Sequence, residues 1–398
     1  MQACFAYMRS AAVALAFVLT ACASYDNAYF VHSVWRDAAA SPSPVSVFYL
    51  TDRAADKNAP AGFGYMRGEA PSCGILQTNL PPARLPGTDG EFAKTTARNG
   101  IPCGDAKAPL GKFVDSIAQA AAPCRSVLIF VHGFYTGFET ASLRTAQLKH
   151  DAQFACAAIA FSWSSIGKTS GYTIDLQSSE QAQPLLANLV QALAARGLRI
   201  HIVAHSLGTR LVLQSLATLV QQHSDALGES AIGEILLFAG DISADPQADE
   251  FQHLAAMVRP FAQRLTIYAA SDDAALAVAR TLHGGKRRLG REPENDLRYR
   301  AGGPHAIDVI DASDAPGDLV GHDYYGLAYE VVADMGLTLA GVTAADRAKG
   351  YGGAKPTLVC EKQCDSDPVY ALKVDDNRRP SLAWRLVRWL APLVPIFE

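Results

Sequence analysis

The chain has 398 residues and a net charge of −4; 49% of it is hydrophobic and 19% charged. Such a length and apolar content support one large core or two smaller ones and exclude a disordered chain. The acidic balance, without a long basic run, excludes a nucleic-acid partner.

Arg9 precedes the apolar run Ala11–Leu19, and Thr20 and Ala21 lead into Cys22. A positive start, a short apolar stretch and small residues before a cut site read as a secretory signal over residues 1–21. The stretch is too short for a membrane span. Leu19-Thr20-Ala21-Cys22 resembles the lipobox of bacterial lipoproteins. That resemblance implies a lipid on Cys22, attachment to the membrane through it, and a place in the bacterial cell envelope. By the same resemblance, Ala23 after the cysteine, in place of Asp, implies the outer membrane facing the periplasm. Of eight cysteines, Cys4 would leave with the signal and Cys22 would carry lipid, so six remain. An even number in an oxidising compartment predicts disulfides, with their connectivity open. Cys360 and Cys364 are the easiest pair to close locally. No partner motif completes a zinc site, so no metal is expected.

Residues 22–45, with Ala38–Pro44 small and proline-rich, read as a tether. Ser46–Thr51 reads as a strand, and residues 52–110 as short strands and loops. From Arg125 onward strand and helix alternate. The spacing predicts strands at Val127–Val131, Ala158–Phe161, Ile200–Val203, Ile235–Phe238 and Leu265–Tyr268, with Ile307–Ile310 as the last. Helices are predicted over 139–154, over 178–196 up to Gly197, and over 208–221. This alternation makes an α/β fold, a mostly parallel central sheet with helices on both faces. Sites in such sheets gather at the carboxyl ends of the strands. Residues 337–398 form a C-terminal extension. Its end, with Trp384, Arg388 and Trp389, reads as a helix packed on the domain, with a membrane-surface segment as the alternative.

Ala204-His205-Ser206-Leu207-Gly208 follows an apolar strand and opens a helix, the context of a nucleophile elbow. A serine there sits on a tight turn above the sheet. The residues two before and two after it must be small; Ala204 stands where glycine is usual. His132-Gly133-Phe134 ends an earlier strand, where an oxyanion-hole donor belongs, and Phe134 and Leu207 supply the two backbone N–H groups. His132 precedes the serine and reads as structural, because the hydrolase order is Ser, acid, His. His322, in the polar loop Asp318–Tyr325, is the general base, with His305 as its competitor. Asp273 is the acid that orients it; Asp272, Asp241 and Asp245 are the alternatives, and each could equally be a loop or N-cap aspartate. His205 shapes the elbow or the pocket.

These residues resemble a family of bacterial alpha/beta hydrolases described only as esterase- or lipase-like or as a domain of unknown function. The resemblance runs through Val47–Arg53, Phe130–Phe134, Phe161–Ser165, Tyr172 with Asp175, the Ala204–Gly208 elbow, Tyr268–Leu276 and Gly321–Tyr325. It spans roughly residues 46–336, taken as the alpha/beta-hydrolase domain. Ser164 departs from a common proline. The resemblance implies a Ser206–Asp273–His322 triad that hydrolyses a carboxyl ester through an acyl-enzyme, without metal or organic cofactor. The expected partner is a small-molecule or lipid ester, with no protein partner. Acyl transfer or thioester cleavage would use the same residues. The reading from another class is a catalytically idle envelope lipoprotein that uses the fold for binding.

Overall fold

A computed structural model describes residues 43–80, 95–104, 110–223, 227, 231–247, 249–296, 299, 306–318, 320–352, 355–362, 368–376 and 379. Cys22, His305, Cys364 and the tail from 380 onward lie outside the described residues. In chain order the elements are β1 (Ser43–Ala55), β2 (Phe63–Leu80), β3 (Ala97–Ile101), α1 (Gly111–Ala120), β4 (Ser126–Val131), α2 (Phe138–Asp151), β5 (Ala157–Ser162) and α3 (Tyr172–Ala194). They continue with β6 (Arg199–His205), α4 (Leu207–His223), β7 (Ile232–Phe238), α5 (Glu250–Val258), β8 (Ala262–Ala269), α6 (Ala274–Leu282), α7 (Pro293–Asp296) and β9 (Ala306–Asp311). Then come α8 (Tyr324–Leu327), α9 (Tyr329–Leu339), α10 (Ala344–Lys349), β10 (Leu358–Lys362) and β11 (Val369–Leu372).

The described strands form one 11-stranded sheet in the order β10-β11-β9-β8-β7-β6-β4-β5-β1-β2-β3. From β1 through β5, β4, β6, β7, β8 and β9 to β11 every pairing is parallel; β2, β3 and β10 add antiparallel edges. The apolar runs that end in parallel strands are buried on both sides, because alternate residues serve opposite faces. On β4, Val127, Ile129 and Val131 pack against α1, α3 and α4, while Leu128 and Phe130 join the layer of α2 and α9. Each such fully buried Val, Leu, Ile or Phe contributes about 1.5–3 kcal/mol. Both faces are therefore covered, the α/β arrangement expected from the alternation of strand and helix.

Several boundaries differ from the sequence reading. β1 begins at Ser43, and β1 with β2 makes a long hairpin where short strands and loops were expected over 52–110. Gly64, Gly68 and Pro71 of β2 fall where the register shifts between Thr51 and Ala55, so the hairpin accommodates them as irregularities. The sheet does not end at β9. β11 joins it in parallel through Tyr370↔Ile310, and β10 pairs beyond, so residues 358–372 extend the sheet past residue 336. Two disulfides have both cysteines among the described residues: Cys73–Cys103 ties β2 to the end of β3, and Cys124–Cys156 ties the starts of β4 and β5. Cys360 is also disulfide-bonded. No described helix is long and apolar enough to cross a membrane.

Candidate active site

The chain runs from β4 to β5 on one side and returns to β6 on the other, so the sheet order reverses at β4. Ligand crevices form outside the carboxyl ends of strands at such a switch point. The loops after β4 and β6 carry His132–Phe134 and Ser206. β6 ends at His205 and α4 begins at Leu207, so Ser206 makes the turn alone, with φ of +52°. This left-handed backbone is costly for a residue with a Cβ and is held by its surroundings. Ser206 N–H donates to Phe238 O at 3.0 Å, and Ser206 O accepts from the N–H groups of Thr209 at 3.0 Å and Asp241 at 3.1 Å. A Cβ on Gly208 would sit 2.5 Å from His132 O and 2.6 Å from Val131 O, which is why that position is glycine. A Cβ on Gly133 would stand 2.8 Å from Ser206 Cβ, so the β4 loop lies directly against the serine.

Phe134 follows that contact. Leu207 opens α4, where a first-turn N–H has no carbonyl four residues back. Of the two residues named for the oxyanion hole, Leu207 therefore adjoins Ser206 in the chain, and Phe134 adjoins the glycine that lies against it. His132 faces elsewhere: its Nδ1 lies 2.8 Å from Gly133 O and its ring stacks on Trp163 at 4.9 Å. Trp163 Nε1–H donates to His132 O at 2.9 Å. Burial, reinforced by the Arg53 charge, pushes the His132 imidazole down to about 3, so it is neutral and structural.

His322 Nδ1 and Asp273 Oδ2 are 2.7 Å apart, and the Asp273 side chain is wholly buried. The other oxygen, Oδ1, accepts the Leu276 N–H at 2.9 Å and caps α6. Asp273 is therefore both the N-cap that such aspartates commonly are and the partner of the histidine. Burial alone would lower the His322 imidazole; the Asp273 carboxylate overcomes this and lifts it to about 9. Asp241 is engaged otherwise, by Arg288 Nε at 2.6 Å and the Tyr172 hydroxyl at 2.6 Å. Asp245 accepts the Gln247 N–H at 3.1 Å in a surface turn.

The histidine loop is fastened by residues of its own segment, by His205 of the elbow, and by Arg144, which no sequence motif flagged. Asp318 Oδ1 accepts the N–H groups of His322 at 2.7 Å and Asp323 at 3.1 Å. Arg144, on α2, pairs with Asp323 at 2.7 Å and donates to Gly326 O at 3.0 Å. His205 Nε2 lies 3.1 Å from His322 O, and its ring stacks on Tyr325 at 4.2 Å. Burial, then the neighbouring His322 charge, drives the His205 imidazole well below its usual value, so it is a neutral donor to that carbonyl. The residue before Ser206 thus holds the backbone of His322. Arg144 gave no signal in advance because an arginine on a helix ordinarily reads as solvated.

Comparison with known proteins agrees with this architecture. Residues 112–340 match the family model described as alpha/beta hydrolase of unknown function (DUF900). A segment of 68 residues is 38% identical to the uncharacterized protein alr1448 of Nostoc sp., covering 17% of this chain and 18% of that protein. Less than a fifth of that relative is therefore spanned. The chain is also similar to the dienelactone hydrolase of Anabaena variabilis, with 13% identity, a TM-score of 0.31, and coverage of 67% of this chain and 90% of that one. The family match takes in the β4 loop, the Ser206 turn, Asp273 and His322 within more than half of the chain, and the protein belongs to the alpha/beta hydrolases of unknown function.

Proposed function

We propose that the protein is a serine hydrolase of carboxyl esters, with Ser206 as nucleophile, His322 as general base and Asp273 as its orienting acid. Ser206 Oγ attacks the acyl carbonyl while His322 Nε2 takes the hydroxyl proton; the same proton then leaves with the alcohol. Water repeats the sequence to release the acid from the acyl-enzyme. The Phe134 and Leu207 N–H groups receive the charge that develops on the carbonyl oxygen. The observation that carries this reading is the 2.7 Å contact between His322 Nδ1 and the buried Asp273, on the loop whose backbone His205 ties to the Ser206 turn. With Nδ1–H committed to Asp273, Nε2 is left to accept a proton. Membership of the alpha/beta hydrolases supports it.

The test is turnover of short- and medium-chain p-nitrophenyl esters together with labelling by a fluorophosphonate probe. Ser206→Ala is expected to abolish labelling and to lower kcat on the order of 10⁶-fold. A folded wild type that neither turns over esters nor takes the probe sinks the reading and leaves a binding protein. Addition of a competing alcohol separates hydrolysis from acyl transfer. We further propose that Cys22 carries lipid and holds the protein at the envelope. Cys22→Ala should lose metabolic labelling by a radioactive fatty acid and leave the membrane fraction; retention of both would refute it.

A further inference from the structure

The segment that carries Phe134 lies between Val131, the end of β4, and Phe138, the start of α2. Within it Tyr135 has φ of +60°. A left-handed backbone at a non-glycine residue costs about 1 kcal/mol or more and persists where neighbours over-determine it. Those neighbours are Arg53, Ser165 and Asp175. None belongs to the proposed triad, and all are buried, at 1%, 0% and 0% exposure.

Arg53 extends from β1. Its Nε donates to Ser162 Oγ at 3.0 Å, Nη1 to Ser165 O at 3.1 Å and Gly64 O at 3.3 Å, and Nη2 to Thr136 O at 2.6 Å. Ser165 Oγ accepts the Thr136 N–H at 3.2 Å and donates to Asp175 Oδ2 at 2.5 Å. Asp175, in the first turn of α3, also accepts the Tyr135 N–H at 3.3 Å and the Ile166 N–H at 2.7 Å. Thus Tyr135 N–H, Thr136 N–H and Thr136 O, the polar backbone just after Phe134, all end on these three side chains. The Phe134 ring packs edge-on against Tyr172, three residues before Asp175, at 5.5 Å. Apolar residues could fill the same space without the several kcal/mol that burying each ion costs. They could not bond three main-chain groups.

We propose that Arg53, Ser165 and Asp175 are positioning residues that set the Phe134 peptide where its N–H meets the oxyanion. The catalytic part of this inference rests on the ester-hydrolase reading; the bracing of the loop does not. In Asp175→Asn an amide N–H₂ must face either Ile166 N–H or the Tyr135 and Ser165 donors, so one bond becomes a clash of donors. Arg53→Lys keeps the charge and loses the fork.

The experiment compares the full chain with Asp175→Asn, Arg53→Lys and Ser165→Ala, the last being the mildest should a buried-ion variant fail to fold. Ester kinetics should show kcat lowered about 10²-fold in Asp175→Asn and Arg53→Lys, the scale of a misplaced oxyanion donor. KM should stay within about threefold, because ground-state binding is not what the donor supplies. The midpoint of the pH–rate profile should not move, since His322 and Asp273 are untouched. Hydrogen exchange should accelerate at Tyr135 and Thr136 while β4 and α4 keep their protection. Wild-type kcat, a loss confined to KM, or unchanged exchange at those two amides overturns the proposal. If the wild type itself turns over no ester, the ester reading fails on its own, and exchange at Tyr135 and Thr136 still decides whether the brace exists.

Discussion

Asp273 divides its two oxygens between the Leu276 N–H and His322 Nδ1, so one carboxylate caps a helix and partners the imidazole. The charge on that carboxylate is what lifts His322 to about 9 against the effect of burial. A general base must be neutral to accept a proton, so kcat/KM for an ester should rise with pH through that raised value. Asp273→Asn removes the largest opposing charge, and burial is then countered only by the weaker pull of Asp318 and Asp241. The midpoint should drop below that value of about 9, with kcat reduced on the order of 10⁴-fold. A pH–rate profile whose midpoint is the same in both proteins would remove His322 and Asp273 as the titrating pair. The elbow and the loop glycine were legible in the residues, because Gly208 and Gly133 occupy places where any Cβ would meet backbone or Ser206. The commitment of Asp241 to Arg288 and Tyr172 was not, because those three residues meet only when distant segments pack.

Among the elements, β4 and β5 are joined at their starts by Cys124–Cys156, which closes a span of 32 residues with Cα atoms 6.2 Å apart. Such a link chiefly restricts the unfolded chain and stabilises by about 3 kcal/mol. Exchanging both cysteines for serine should lower the denaturation midpoint accordingly. Ester turnover should be nearly unchanged below that midpoint, since the bridge sits at the opposite ends of the strands from the Ser206 loops. An unfolding curve that superimposes on the wild type would show that the bridge contributes nothing. The parallel strands were legible as continuous apolar runs. β10 and β11 were not: runs of five and four residues are too short to announce strands, and they become strands because β9 offers β11 an edge and β11 in turn pairs β10.

Across the molecule, a buried polar layer joins the chain beyond α9 to the sheet. Arg264, on β8, donates to Val342 O at 2.8 Å, and Arg347 donates to the same carbonyl at 2.7 Å and to Asp334 at 2.9 Å. Asp334 also accepts the Tyr268 hydroxyl at 2.7 Å and the Thr357 hydroxyl at 2.5 Å. Glu234, on β7, lies beside this layer with Arg264 at 3.9 Å, and neither of its oxygens accepts a hydrogen bond among the described residues. Burial pushes its carboxyl from 4.5 up to about 7, although Arg264 pulls the other way. A carboxyl raised on folding binds its proton more tightly in the native state. Its contribution is therefore complete below 4.5 and is lost as pH rises through about 7. Between about pH 5 and about pH 8 the wild type should lose on the order of 3 kcal/mol that Glu234→Gln retains. Parallel pH dependence of unfolding in the two proteins would refute this.

The amino-acid order alone was enough for the alternation of strand and helix, the parallel sheet, the Ser206 turn and the chain order of Ser, Asp and His. These are local matters: apolar runs, small residues beside a tight turn, and loops that follow strands. Which cysteines pair, which aspartate meets His322, how far the sheet extends beyond β9, and what braces Phe134 were decided only when the chain packed. Each of these joins residues far apart in the chain: 49 positions for His322 and Asp273, 112 for Arg53 and Ser165. No local pattern encodes a partner at such a distance. The sheet does, by bringing the carboxyl ends of β1, β4, β5, β6, β8 and β9 to one edge.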